Sequence, residues 1–160
     1  MENKQYSPNE VLPHAAPMVL ISSIESYDLD KCSLASIVNV SKDDIFFDRN
    51  LDGVPPYVAL EYMAQTIGCF AGILERQLGI APKVGFIVGT RSMTTYVDRF
   101  CNNESYRISV KQLFLDDGLA SFDCSVHRKE TSQCCSKAIV NVYLPEDINN
   151  FVEGIAKGCN

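Results

Sequence analysis

Along the chain the apolar positions follow two rhythms that change near Pro82. From Tyr57 to Leu74 they run almost unbroken for 18 residues, the length and density of a buried helix. Pro55 and Pro56 stand where a helix start tolerates proline, and Gly79 follows as a C-cap. After Pro82 the chain turns to Val, Ile, Thr, Phe and Tyr, and strands are predicted over Val84 to Val97, Ser105 to Leu115, Leu119 to Arg128 and Cys134 to Leu144. Asp117-Gly118 between two of them signals a tight hairpin. Ahead of the long helix, Ser7 and Glu10 form a capping box with Pro8 at the first helical position, giving a short helix to about Leu12 that Pro13 closes. Met18 to Tyr27 and Cys32 to Val40 read as a hairpin around Asp28 to Lys31, Ser41 to Gly53 as a loop, and Pro145 to Ile155 as a final short helix.

A helix this apolar needs cover on nearly every side, and an antiparallel sheet of about six strands curled around it supplies that cover. The fold class is therefore α+β, a long central helix wrapped by a curled antiparallel sheet. Gly68 and Gly72, one turn apart, are expected to let the sheet approach the helix closely. Such a sheet leaves edge strands, and pairing two copies edge to edge is the remedy expected, so a dimer is predicted. The helix is a core element rather than a membrane span: Glu61 and Gln65 lie inside the run, a charged side chain costs ~2.5 to 3.5 kcal/mol at the centre of a membrane helix, and Glu75 and Arg76 end the run sharply.

Composition narrows the class. At 160 residues, 46% hydrophobic and 21% charged, with no repeat, linker or low-complexity tract, residues 1–160 read as one domain. A formal net charge of −6 argues against broad nucleic-acid binding. The seven cysteines contain no C-x-x-C, which disfavours a disulfide framework and a zinc ribbon, and Met1 to Glu10 lack the pattern of a signal peptide. A reducing cytoplasm is the expected compartment. Asp43, Asp44, Asp48 and Asp52 lack the spacing of a calcium loop and read as a solvated face, so no metal is expected.

Leu12-Pro13-His14, Pro17-Met18-Val19-Leu20, Phe46-Phe47, Val54-Pro55 and Leu60-Glu61-Tyr62-Met63-Ala64-Gln65 follow one another in an order and spacing that resemble the hot-dog-fold 3-hydroxyacyl-acyl carrier protein dehydratases over nearly the whole chain. With Gly85-Phe86-Ile87-Val88-Gly89-Thr90-Arg91, the resemblance is greatest to the divergent dehydratases of aryl polyene pathways. It implies a hot-dog fold, dimers, no tightly bound cofactor, and thioester substrates carried on the phosphopantetheine arm of an acyl carrier protein. The implied reaction needs a base at C2 and an acid at the C3 hydroxyl, furnished by a His and a carboxylate across a subunit interface.

Glu61 occupies the family's carboxylate position. A carboxyl in an apolar wall stays protonated enough to donate to a leaving hydroxyl, whereas one at an exposed first turn is merely stabilised by the helix dipole. Gln65, four residues on, shares its helical face and either orients the carboxyl or a bound water as part of the substrate-binding site, or serves as a core amide. The family's catalytic His falls in a Gly-His-Phe-Pro segment, which here reads Phe47-Asp48-Arg49-Asn50-Leu51-Asp52-Gly53, without His. The chain's two histidines are His14, at even odds a base or a structural side chain, and His127, read as solvated beside Arg128 and Lys129. The family's Pro-Gly helix start, which offers N–H groups to the thioester oxygen, is Pro55-Pro56 here, leaving Tyr57 and Val58 N–H groups as the candidate substrate-binding donors.

Two further classes stay open beside the dehydratase. One is an accessory hot-dog subunit that pairs with a related dehydratase, and the other a hot-dog thioesterase that uses its helix carboxylate on water. Arg76, Lys83, Arg91 and Arg99 are the candidate cations for meeting an acidic carrier protein, against the commoner reading of each as a solvated surface charge.

Overall fold

The computed structural model describes residues 4–80 and 85–143. The helix expected over Pro145 to Ile155, and Lys83, lie outside them.

The first helix, α1 (Pro8–Val11), forms where the capping box predicts it: Ser7 N–H donates to Glu10 Oε2 at 2.7 Å. The hairpin follows as β1 (Ser23–Asp28) and β2 (Ser33–Asn39). β1 starts five residues later than the apolar pattern predicts, because backbone groups of 18–20 are taken by a side chain of the long helix: Leu20 N–H donates to Gln65 Oε1 and Met18 C=O accepts from Gln65 Nε2. After a two-residue strand, β3 (Gly53–Val54), one 3-10 turn over Pro56–Val58 leads into α2 (Ala59–Gln77). Gly79, at φ +74°, closes α2 with Gly79 N–H on Arg76 C=O and Ile80 N–H on Glu75 C=O, the paired bonds of a Schellman cap.

The remaining strands are β4 (Phe86–Thr95), the two-residue β5 (Phe100–Cys101), β6 (Ser105–Asp116), β7 (Leu119–Arg128) and β8 (Cys134–Tyr143). Asp117 and Gly118 both take positive φ between β6 and β7, as a type I′ hairpin requires. Six strands form one sheet in the order β1-β2-β6-β7-β8-β4, every described pair antiparallel, and β3 pairs with β5 apart from it. The small β3–β5 pair went unread because two-residue strands carry no periodicity.

Ala120, Phe122, Cys124 and Val126 of β7 and Ala138, Val140 and Val142 of β8 bury one sheet face against Met63, Ile67 and Phe70 of α2, while the alternate residues face outward. The apolar helix is thus the core of a helix-on-sheet layer. The two glycines serve a different neighbour from the one expected. A Cβ on Gly72 would stand 2.0 Å from Val11 O, and one on Gly68 2.8 Å from Leu12 Cδ2. They admit α1 and its exit, not the sheet, so the start of the chain lies directly across α2.

Candidate active site

That crossing sets up the site. Leaving α1, the chain passes Pro13 and His14 beside the first turns of α2, where Glu61 and Gln65 stand one turn apart. A cavity of about 140 Å³ opens there, lined by His14, Glu61, Ala64, Gln65, Gly68 and Ile87 among others. Glu61 and His14, 47 positions apart in the sequence, thus face one space; Glu61 is half-buried and His14 exposed.

Gln65 is 1% exposed. Its Oε1 accepts from Leu20 N–H at 2.8 Å, and its Nε2 donates to Met18 C=O at 2.7 Å and to Glu61 Oε1 at 2.9 Å. A buried amide has to satisfy its polar atoms, so these bonds fix its orientation. One side chain therefore holds the carboxyl of Glu61 and fastens the segment that carries His14. The sequence left open a core amide or an orienting group, and Gln65 makes bonds of both kinds, to the backbone and to the Glu61 carboxyl.

The substrate donors expected at the helix start are not brought to the cavity. Val58 N–H donates to Pro55 C=O at 3.1 Å, because the chain enters α2 through a 3-10 turn that consumes this donor, and Ala59 N–H bonds Pro56 and Tyr57 carbonyls. Val58 is buried, the Tyr57 side chain is 71% exposed, and neither lines the cavity. In place of the family's histidine loop, Asp48 exchanges backbone bonds with Gly53, and Asn50 N–H bonds Asp48 Oδ1 at 2.8 Å. A Cβ on Gly53 would meet Phe100 O at 2.4 Å, so the turn is clamped on β5, and none of its residues lines the Glu61 cavity.

His127 lines a hollow on the outer sheet face with Lys111, Asp123 and Lys137, across the sheet from Glu61, and has no part in the site. Arg76 donates to Glu10 C=O at 2.9 Å at the far end of α2, ~22 Å along the helix from Glu61. Arg91 faces an outer hollow, and neither Arg91 nor the exposed Arg99 lines the cavity. Among the described residues no group of three His, Cys, Asp or Glu side chains is placed to hold a metal ion.

Residues 6–153 match the ApeP-like family, described as ApeP dehydratase. The chain belongs to the ApeP-like dehydratase family. A stretch of 67 residues is 36% identical to 3-hydroxyacyl-[acyl-carrier-protein] dehydratase FabZ of Chlamydia trachomatis serovar L2, covering 40% of this chain and 44% of that one. The match thus spans less than half the length of this curated relative. The fold is shared with the dehydratase heterocomplex ApeI:P from Xenorhabdus doucetiae, at a TM-score of 0.85 and 24% identity over 95% of this chain and 99% of that one. A hypothetical thioesterase from Streptococcus pneumoniae, solved with coenzyme A, is more remote, with a TM-score of 0.57 and 12% identity over 76% of this chain and 83% of that one. One long helix on a six-stranded antiparallel sheet is the hot-dog arrangement expected of the ApeP-like family.

Gln65's hold on the His14 segment was the part of the site that sequence reasoning missed. Its bonds to Met18 and Leu20 span 47 and 45 positions. The only local signal for them was an amide in an otherwise apolar helix face.

Proposed function

We propose that this chain takes part in dehydrating a 3-hydroxyacyl thioester carried on an acyl carrier protein, in an aryl polyene or fatty acid-type pathway of the cytoplasm. The observation that carries the reading is the Gln65-held Glu61 carboxyl sharing a cavity with His14. A base removes a proton from C2, the C2–H electron pair becomes the C2=C3 π bond, and the C3–O bond breaks as Glu61 donates a proton to the departing hydroxyl. The products are the 2-enoyl thioester and water. His14 is the candidate base within this chain. In a pair with a related hot-dog dehydratase, that subunit supplies the base.

The accessory reading is favoured by one observation, the clamped turn without histidine at residues 47–53. The decisive experiment is mass spectrometry of a 3-hydroxyacyl carrier protein after incubation with the chain, alone and with a related hot-dog subunit. Loss of water supports dehydration; release of free acid assigns a thioesterase; an unchanged carrier with both subunits present overturns the proposal. Glu61→Ala is expected to abolish water loss, and Glu61→Gln to slow it to a small measurable residual rate, while the melting temperature of each stays near that of the parent.

A further inference from the structure

The outer face of the sheet is divided. Over β1, β2 and the near part of β6 and β7 it carries Ser26, Ser33, Ser109, Lys111, Ser125 and His127, as a solvated face should. At the β4 end it carries Val88, Leu113, Phe114, Leu119 and Ile139, with Ser121 and Asn141 among them hydrogen-bonded to each other, around a hollow of about 510 Å³. Val88, Leu113 and Phe114 are 62%, 57% and 49% exposed. Two of these side chains are there because of β-bulges. The register skips Val88 between Ile87 and Gly89, and skips Leu113 between Gln112 and Phe114. A bulge re-aims one side chain, and here both bulges turn an apolar one toward the same outer hollow. A contiguous apolar patch of this kind marks a contact surface.

The charges at its rim say what fits there. Arg91 lines the hollow beside Ile139, while Asp116 and Asp117 sit at the β6–β7 turn, level with Leu119, Tyr143 and Phe86. Strand spacing and rise put the turn and Arg91 at opposite corners, ~14 Å apart across the strands and ~16 Å along them. Arg91, Asp116 and Asp117 make no ion pair among the described residues. A partner has to offer an apolar centre with an acidic corner facing Arg91 and a basic corner facing the turn. The same patch on another molecule, turned by a two-fold axis across that diagonal, offers both at once.

We propose that a second copy of this chain docks on this outer face, the two patches packing Val88, Leu113, Phe114 and Leu119 together while each Arg91 meets the other copy's Asp116–Asp117 turn. Strand side chains stand perpendicular to the sheet, so this face stays open when β4 pairs edge to edge with another subunit. The contact is therefore separate from the catalytic pairing and joins two such units.

The test is the solution mass of the full chain, with its hot-dog partner where one co-purifies, by light scattering over a concentration series. The parent is expected to reach twice the mass of the Phe114→Asp and Leu113→Asp variants, with unchanged dehydration per site. Arg91→Glu, and separately Asp116→Arg with Asp117→Arg, are expected to halve the mass, and the three changes combined to restore it. A charge-swap rescue is specific to self-docking and does not depend on how an apolar-to-Asp variant folds. Equal mass for the parent and every variant overturns the proposal. So does failure of the combined swap to restore the mass in a protein with the parent's melting curve. A patch shielded from labelling in the undocked chain until residues 144–160 are removed also overturns it, and assigns the face to that segment.

Discussion

Gln65 commits its carbonyl to Leu20 N–H and one Nε2 proton to Met18 C=O, so what it has left for Glu61 is a donor. Glu61 Oε1 is thereby an acceptor, and any proton that Glu61 gives a leaving hydroxyl leaves from Oε2. The i to i+4 spacing in the sequence was enough to place these two side chains on one helix face. It could not disclose that Val58 N–H is consumed, because whether a helix opens with a 3-10 turn depends on backbone geometry that the Pro55-Pro56 pair permits but does not dictate. Positioning through Gln65 has a consequence for kinetics. Gln65→Leu is expected to lower kcat by ~10² with KM little changed, the scale of loss that misplacing a reacting group by about 1 Å brings. In a Glu61→Gln background the same change should cost nothing further, since Gln65 acts through the carboxyl. Losses in kcat that multiply across the two substitutions would reduce Gln65 to a purely structural amide.

At the scale of elements, α1 and α2 were both legible from their caps and from the apolar run, and the strands from their residue types and the Asp117-Gly118 turn. What packs on what was less legible: a Gly-x-x-x-Gly pair announces a close approach without naming the neighbour, and here the neighbour is a four-residue helix from the far end of the chain. The two glycines are not equivalent. Replacing Gly68 by Ala brings a Cβ against the tip of the Leu12 side chain, which can rotate, and the gain of ~1 kcal/mol in helix propensity offsets the contact. At Gly72 the obstacle is the backbone oxygen of Val11, which can yield only if α1 moves. Overpacking of ~1 to 3 kcal/mol then exceeds the propensity gain. Thermal melting should therefore show Gly72→Ala lowered and Gly68→Ala near the parent. Because α1 runs straight into Pro13 and His14, Gly72→Ala should also lose dehydration activity at temperatures where it remains folded. Full activity in that variant would detach His14 from the site.

For the molecule as a whole, the edges of the sheet decide how the site is completed. β1 at one edge is tied by Tyr27 Oη to Lys4 C=O and by Arg107 to Glu25, with Nη2 to Oε1 at 2.9 Å, whereas β4 closes the other edge as a ten-residue strand with no sheet neighbour beyond it among the described residues. A long open edge is a pairing surface, and Ile87 of β4 lines the Glu61 cavity, so a subunit paired there sits against the site. The open edge was legible in the strand pattern, and the missing loop histidine stood out as a departure from the hot-dog dehydratases, yet whether His14 replaces that histidine turns on what pairs with β4, which one chain's sequence does not contain. Acid-base partners usually supply ~10² to 10⁴ in rate, so a Glu61 without its base should lose most of that. The chain alone is accordingly expected to turn over slowly, and co-expression with a related hot-dog dehydratase from the same pathway to raise the rate by ~10² or more. Glu61→Ala placed in this chain only should remove the gain while leaving whatever the other subunit achieves with its own carboxylate. Strong activity of the purified chain alone, lost on His14→Ala with an unchanged melting curve, would instead make His14 the base and the protein a self-sufficient homodimer.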